Sequence, residues 1–209
     1  MKRPEIHVLT DAALARGRSH VEIAAAALAG GADVIQLRDK GTSFARLVQI
    51  AGELLRLTRA AGASLVVNDH LEVANEVAAD GLHLGPHDLP LAQARARFGG
   101  RLGGSARSPS RARELEAAGA DYLGVGPLWG SATKPEAGEA IGVQRLSEIV
   151  SAVGIPVIAI GGIAPGNAAP AIEAGAAGIA VIAGIVGAED PEAATRAFRR
   201  EVDDAAAAC

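Results

Sequence analysis

Short runs of β-branched and apolar residues alternate along the chain with longer stretches rich in Ala, Leu and charge. The runs fall at residues 6–10, 34–38, 65–68, 82–84, 101–105, 122–126, 156–160 and 179–182, eight in all. Each is followed by a helix-like segment, the one after Asn68 being short. Strands that alternate with helices pair in parallel through right-handed crossovers. Eight such units close into a barrel more readily than they spread into an open sheet. The pattern therefore predicts a single (β/α)8 TIM barrel over residues 1–209, with an open doubly wound sheet as the alternative.

Local punctuation agrees with these boundaries. Ser108-Pro109 and Asp190-Pro191 each place an N-cap residue before a proline at the first helical position. Gly30-Gly31-Ala32-Asp33 and Ala118-Gly119-Ala120-Asp121 read as helix stops leading into strands, and Ala174-Gly175-Ala176-Ala177 repeats the junction. No linker or second domain is visible, and residues 205–208 read as the fraying end of the last helix.

Composition narrows the picture. Apolar residues make up 49% of the chain, yet Phe, Tyr and Trp together supply only 3, 1 and 1 of them, so the core must be built from Ala, Val, Ile and Leu. A net charge of −4 without a basic tract argues against nucleic acid as a partner. Cys209 is the single cysteine, which excludes an intrachain disulfide and fits a reducing cytoplasm. The first ten residues lack the apolar run of a signal peptide, and no apolar stretch reaches membrane-spanning length.

In such barrels the chemistry sits at the C-terminal ends of the strands. Side chains alternate along a strand, so Ile35 and Leu37 should face the helices while Gln36, Arg38 and Lys40 point inward. An amide and two cations facing a barrel interior call for an anion, either a ligand or the barrel's own carboxylates. Asn68-Asp69 and Asp88 come from neighbouring strand ends, and two carboxylates with phosphate oxygens form a common Mg²⁺ arrangement. Asp88 alone could equally cap a helix starting at Leu89, and His83 reads as a satisfied lining residue. Gly103-Gly104-Ser105 offers one hydroxyl after a small-residue approach, or simply a turn. The long loop after the sixth run carries Ser131, Thr133 and Lys134, two hydroxyls and a cation suited to phosphate, or else a solvated loop. Gly161-Gly162 and Gly184 follow the last two runs, where this fold often binds phosphate.

Taken in order, Gln36-Leu37-Arg38-Asp39-Lys40, Asn68-Asp69, Gly81-Leu82-His83-Leu84-Gly85 with Asp88, Ser105, Ala120-Asp121-Tyr122-Leu123-Gly124-Val125-Gly126-Pro127, Thr133-Lys134 and Ile160-Gly161-Gly162-Ile163 resemble the thiamine-phosphate synthase family along nearly the whole chain. The resemblance implies a transferase that joins hydroxymethylpyrimidine diphosphate to thiazole phosphate and releases pyrophosphate. It implies that the segment Gln36, Leu37, Arg38, Asp39 and Lys40, with Asn68, Ser105 and Lys134, holds the pyrimidine diphosphate. Arg38, Lys40 and Lys134 would be the catalytic cations on the departing pyrophosphate. Asp69 and Asp88 would ligate Mg²⁺. Ser131, Ala132, Thr133, Gly162 and the Ile182-Ala183 backbone would hold the thiazole phosphate. The reaction it implies is dissociative and needs no protein nucleophile. A cytoplasmic location and no membrane partner are expected from the cysteine count and the lack of long apolar runs, and the resemblance allows a homo-oligomer.

Four positions depart from the family pattern. Pro86-His87 stands where an amide and an acid usually precede the second metal Asp. Ser131 replaces a Thr, and Ala183 replaces a Ser. Arg107 stands where many members of the wider family carry a His. The related thiazole tautomerases use that His, so its absence favours the synthase. A non-catalytic phosphate-binding barrel is the third reading.

Overall fold

The computed structural model describes residues 3–130 and 138–209. Eight strands form a closed parallel barrel in sequence order. They are β1 (Glu5–Thr10), β2 (Val34–Leu37), β3 (Ser64–Asn68), β4 (Gly81–Leu84), β5 (Arg101–Ala106), β6 (Tyr122–Val125), β7 (Val157–Ile160) and β8 (Gly178–Val181). β8 closes on β1 through pairs such as Ile6 with Ile179, so the open-sheet alternative is excluded. Every expected run is a strand, with ends that move by a residue or so.

Among the described residues the outer layer comprises α1 (His20–Ala29), α2 (Phe44–Ala61), α3 (Leu71–Glu76), α4 (Leu91–Arg95), α5 (Pro109–Ala117), α6 (Gly142–Val150), α7 (Ala169–Glu173), α8 (Ala183–Val186) and α9 (Pro191–Ala208). Their starts follow local chemistry. Ser19 Oγ accepts from Glu22 N–H at 3.2 Å while the Glu22 carboxylate accepts from Ser19 N–H at 2.7 Å, a reciprocal cap that seats α1. Ser108 and Asp190 cap α5 and α9 ahead of their prolines, as the sequence predicts. The C-terminal end departs from expectation. Ala205 is buried and α9 runs on to Ala208, because Phe198 and Val202 pack into the core and Arg199 bridges Asp33 at 2.9 Å and Asp203 at 2.5 Å.

Two cores result. The large one lies between the barrel and its helices and takes Ile35 and Leu37 from β2, in the phase that strict alternation requires. The small one fills the barrel itself with Leu9, Tyr122, Ile158 and Ala180. With so few large side chains inside, the upper barrel stays open. No helix among the described residues is long and apolar enough to cross a membrane.

Candidate active site

Above the inner core the barrel opens, at the strands' C-terminal ends, into a cavity of about 140 Å³. Its two walls differ. Leu9, Ile158, Ile160, Ala180 and Ile182, from β1, β7 and β8 and the residue after it, make an apolar wall. Gln36, Asn68, Asp69, His83, Ser105 and Tyr122, from β2 to β6 and the end of β3, make a polar one. Arg38, Lys40, Pro86, His87 and Asp88 form the rim.

The polar wall is incompletely satisfied. Gln36 is 3% exposed, and among the described residues its Oε1 has no hydrogen-bond partner. A buried acceptor of this kind is costly unless a ligand or water supplies a donor. Asp69 sits at φ 65°, a left-handed conformation that a non-glycine residue adopts only under local constraint, here with its N–H donating to His83 O at 2.9 Å. Burial raises the Asp69 pKa, and the hydrogen bond and like charge of Asp88 raise it further, to about 6, against the opposing pull of Lys40 and His70. Two carboxyl groups pressed together in a partly buried mouth invite a cation. Asp88 does not cap a helix. Its Oδ2 accepts from Gly85 N–H at 2.7 Å, and α4 begins only at Leu91. Its side chain is thereby fixed toward Asp69. Among the described residues no cluster of three or more His, Cys, Asp and Glu gathers, so an ion here would need ligand oxygens to complete its shell.

The β2 end is braced from outside. Arg38 forms an ion pair with Asp11, so one of the inward cations meets a barrel carboxylate before any ligand arrives. Asp39 turns away from the cavity. Its carboxylate accepts from Gly41 N–H at 2.9 Å and Thr42 Oγ1 at 2.7 Å, and lies 3.2 Å from His20 Nε2. Burial pushes its pKa up, but these donors outweigh burial and hold it below the usual range. Leu37 points into the outer core at 1% exposure. The implied five-residue segment thus reaches the cavity through Gln36, Arg38 and Lys40, while the Leu37 and Asp39 side chains support the loop.

On the opposite side, Gly162 (φ 67°) and Ala183 are exposed beyond the apolar wall, and Ile182 lines it. A Cβ on Gly162 would lie 2.9 Å from Trp129 Cβ, so its glycine lets the loops after β6 and β7 meet. Ser131, Ala132, Thr133 and Lys134 lie outside the described residues. Arg107 donates to Glu139 O at 2.7 Å and ties down the far end of that loop.

Sequence reasoning assigned no role to Tyr122 or to the floor beneath it. Tyr122 Oη lies 3.1 Å from His83 Nδ1, and His83 Nε2 lies 3.0 Å from Ser105 Oγ. The Arg101 guanidinium stacks over the Tyr122 ring at 4.7 Å. Arg101 also contacts both Glu5 carboxylate oxygens, at 3.1 and 3.0 Å, and His7 Nε2 lies 2.7 Å from Glu5 Oε2. Burial pushes the Glu5 pKa up, yet His7 and Arg101 together pull it down to about 2. Burial lowers the His7 pKa, so near neutral pH its ring is a hydrogen-bond donor and Arg101 is the lasting countercharge. The signal for this network was present in Gly103, in a segment that also reads as a turn, and in Gly124, inside the sixth run. A Cβ on Gly103 would overlap the Tyr122 ring and lie 2.5 Å from His83 Nδ1, and one on Gly124 would lie 3.0 Å from His83 Cε1.

The model of the family described as "Thiamine monophosphate synthase" matches residues 6–185. A thiamine-phosphate synthase of Chloroflexus aurantiacus is 48% identical over 195 residues, covering 93% of this chain and 90% of that protein. One from Natronomonas pharaonis is 45% identical over 206 residues, covering 96% of each. Among solved structures, thiamine phosphate pyrophosphorylase from Pyrococcus furiosus superposes with a TM-score of 0.89 at 38% identity, covering 97% of both chains.

Proposed function

The chain belongs to the thiamine monophosphate synthase family, a family of transferases, and we propose that it joins hydroxymethylpyrimidine diphosphate to thiazole phosphate as a single cytoplasmic domain. The observation that carries the reaction is the meeting, at one mouth, of the Asp69–Asp88 acid pair with Arg38 and Lys40. A diphosphate brought there as its magnesium complex meets charges of both required signs.

The residues present fit Mg²⁺. Asp69 and Asp88 would hold it, and the bound ion would neutralise charge on the leaving diphosphate. Arg38 and Lys40 act on the same group as it departs, with Arg38 exchanging its Asp11 partner for phosphate oxygens. Gln36 Oε1 accepts from the pyrimidine's amino group, which satisfies the one buried side-chain acceptor left without a partner among the described residues. Leu9, Ile158 and Ile160 cover the ring and keep water from the methylene carbon. The bond from that carbon to the diphosphate oxygen breaks, pyrophosphate leaves with both electrons, and the thiazole nitrogen donates its pair to the same carbon. Nothing in this sequence calls for a protein nucleophile or a strong base. Ser131, Thr133, Gly162 and the Ile182-Ala183 backbone would hold the thiazole phosphate, Ala132 would line the same loop, and Lys134 would join the cations on the diphosphate.

Purified protein given both substrates should release pyrophosphate and thiamine phosphate in equal amounts with Mg²⁺ and neither with EDTA. Binding of a phosphate ligand without turnover would instead support the binding-only barrel, and isomerisation of a carboxylated thiazole phosphate would support the tautomerase.

A further inference from the structure

We infer that Tyr122 and His83 are positioning residues that fix the Ser105 hydroxyl as a hydrogen-bond donor into the cavity. This rests on the reading of that cavity as the pyrimidine site. Tyr122 is 1% exposed, and among the described residues its hydroxyl meets one hydrogen-bonding atom, His83 Nδ1 at 3.1 Å. Burial pushes the phenol's pKa up, so the group keeps its proton at any working pH. That proton has to be donated. If Nδ1 carried a hydrogen, whether in the other tautomer or in the imidazolium, two donors would face each other and a buried O–H would stay unpaired, an arrangement native interiors avoid.

Tyr122 therefore donates to Nδ1, and the ring's hydrogen belongs on Nε2. Nε2–H points at Ser105 Oγ, 3.0 Å away, and occupies an acceptor position there. The Ser105 proton is then directed away from His83, toward the cavity that Ser105 also lines. The complement of that proton is an acceptor on the ligand, a ring nitrogen or phosphate oxygen. Gln36 on β2 and Ser105 on β5 approach from well-separated strands, one offering an acceptor and the other a donor. That pair suits a heteroaromatic ring with an amino group on one side and a bare nitrogen on another. The space for the relay is built into the sheet, since a side chain at Gly103 or Gly124 would strike the Tyr122–His83 pair.

The test joins ¹⁵N NMR of the histidine rings with kinetics of Tyr122→Phe, Ser105→Ala and the double variant. Tyr122→Phe removes the one hydroxyl and keeps the ring, so the barrel stays packed. The expected result is a wild-type His83 protonated on Nε2 alone, and a mixture of tautomers in Tyr122→Phe. Tyr122→Phe should lower kcat/KM for the pyrimidine diphosphate by about fivefold or more, and that loss should disappear in the Ser105→Ala background. A wild-type Nδ1–H tautomer, or losses that simply multiply in the double variant, would overturn the relay. Full turnover in Ser105→Ala, with His83 still protonated on Nε2, would instead remove Ser105 from the substrate and leave the relay standing.

Discussion

At the floor of the barrel Glu5 lies between His7 and Arg101 and its pKa falls to about 2, whereas at the mouth Asp69 lies against Asp88 and its pKa rises to about 6. Both carboxyls lose water, and burial alone would raise both. The partners decide the outcome. The floor supplies a guanidinium in contact with both Glu5 oxygens, and the mouth supplies a second acid with a more remote lysine. The first arrangement is complete within the chain and acts as structure. Among the described residues the second pairs acid with acid beside an amide oxygen that has no donor, and the proposed substrate complex would supply both the cation and the donor.

The largest effect should come from breaking the mouth. Asp69→Ala or Asp88→Ala should lower Mg²⁺-dependent turnover by more than about 100-fold while circular dichroism stays native, because a ligand to the ion is lost and the barrel's packing is not. Turnover close to wild type in both variants would end the metal assignment. A change of pH tests the same pair more gently. Metal binding requires the ionised pair, so protons compete with Mg²⁺ below the raised pKa. Affinity measured by titration calorimetry should be about tenfold weaker at pH 5 than at pH 7.5. A flat profile would mean that Asp69 does not bind the ion.

The floor should answer differently. Its acid has a lowered pKa in the folded state, so the stability it contributes is complete above pH 4.5 and is lost as pH falls toward 2. A shift of that size corresponds to about 3 kcal/mol, but the Glu5 side chain is 34% exposed, and solvent screening reduces this to roughly 1–2 kcal/mol. Glu5→Gln should therefore lose about that much at pH 7 in urea unfolding, keep its turnover, and lose less between pH 5 and pH 2.5 than the wild type does. Equal acid sensitivity in the two proteins would remove Glu5 from the account. The smallest effect belongs to Ala183→Ser, which should tighten thiazole-phosphate binding about three- to tenfold by adding a hydroxyl donor at an exposed position. Unchanged or weaker binding would show that the backbone alone serves the phosphate.

Much of the barrel was legible in one dimension. Strand alternation put Ile35 and Leu37 in the outer core and Gln36 in the cavity, and the caps at Ser108 and Asp190 mark their helices. The end of α9 was misread because Ala205–Ala208 resembles a fraying tail, whereas its order comes from Phe198, Val202 and the Arg199 bridge to Asp33, a contact across most of the chain. In the site, the motif between Gln36 and Lys40 marks a segment but does not separate the side chains that face the cavity from those that brace the loop. Asp39 belongs to the second group because His20, Gly41 and Thr42 reach it first.

What the sequence by itself determined is what repeats locally: the alternation of strands and helices, the inward phase of each strand, and the acids, cations and amide at the strand ends. Local pattern is sufficient there because side-chain direction follows from backbone period alone. Only the tertiary structure decided which charges meet across the barrel and how each carboxyl is balanced. Asp69 and Asp88 follow adjacent strands, as strand order already indicates, whereas Glu5 lies 96 positions before Arg101 and closure of the barrel makes them neighbours. A carboxylate's proton affinity depends on distance and burial in space, so the same residue type became a fixed brace at one end of the barrel and an open ligand at the other.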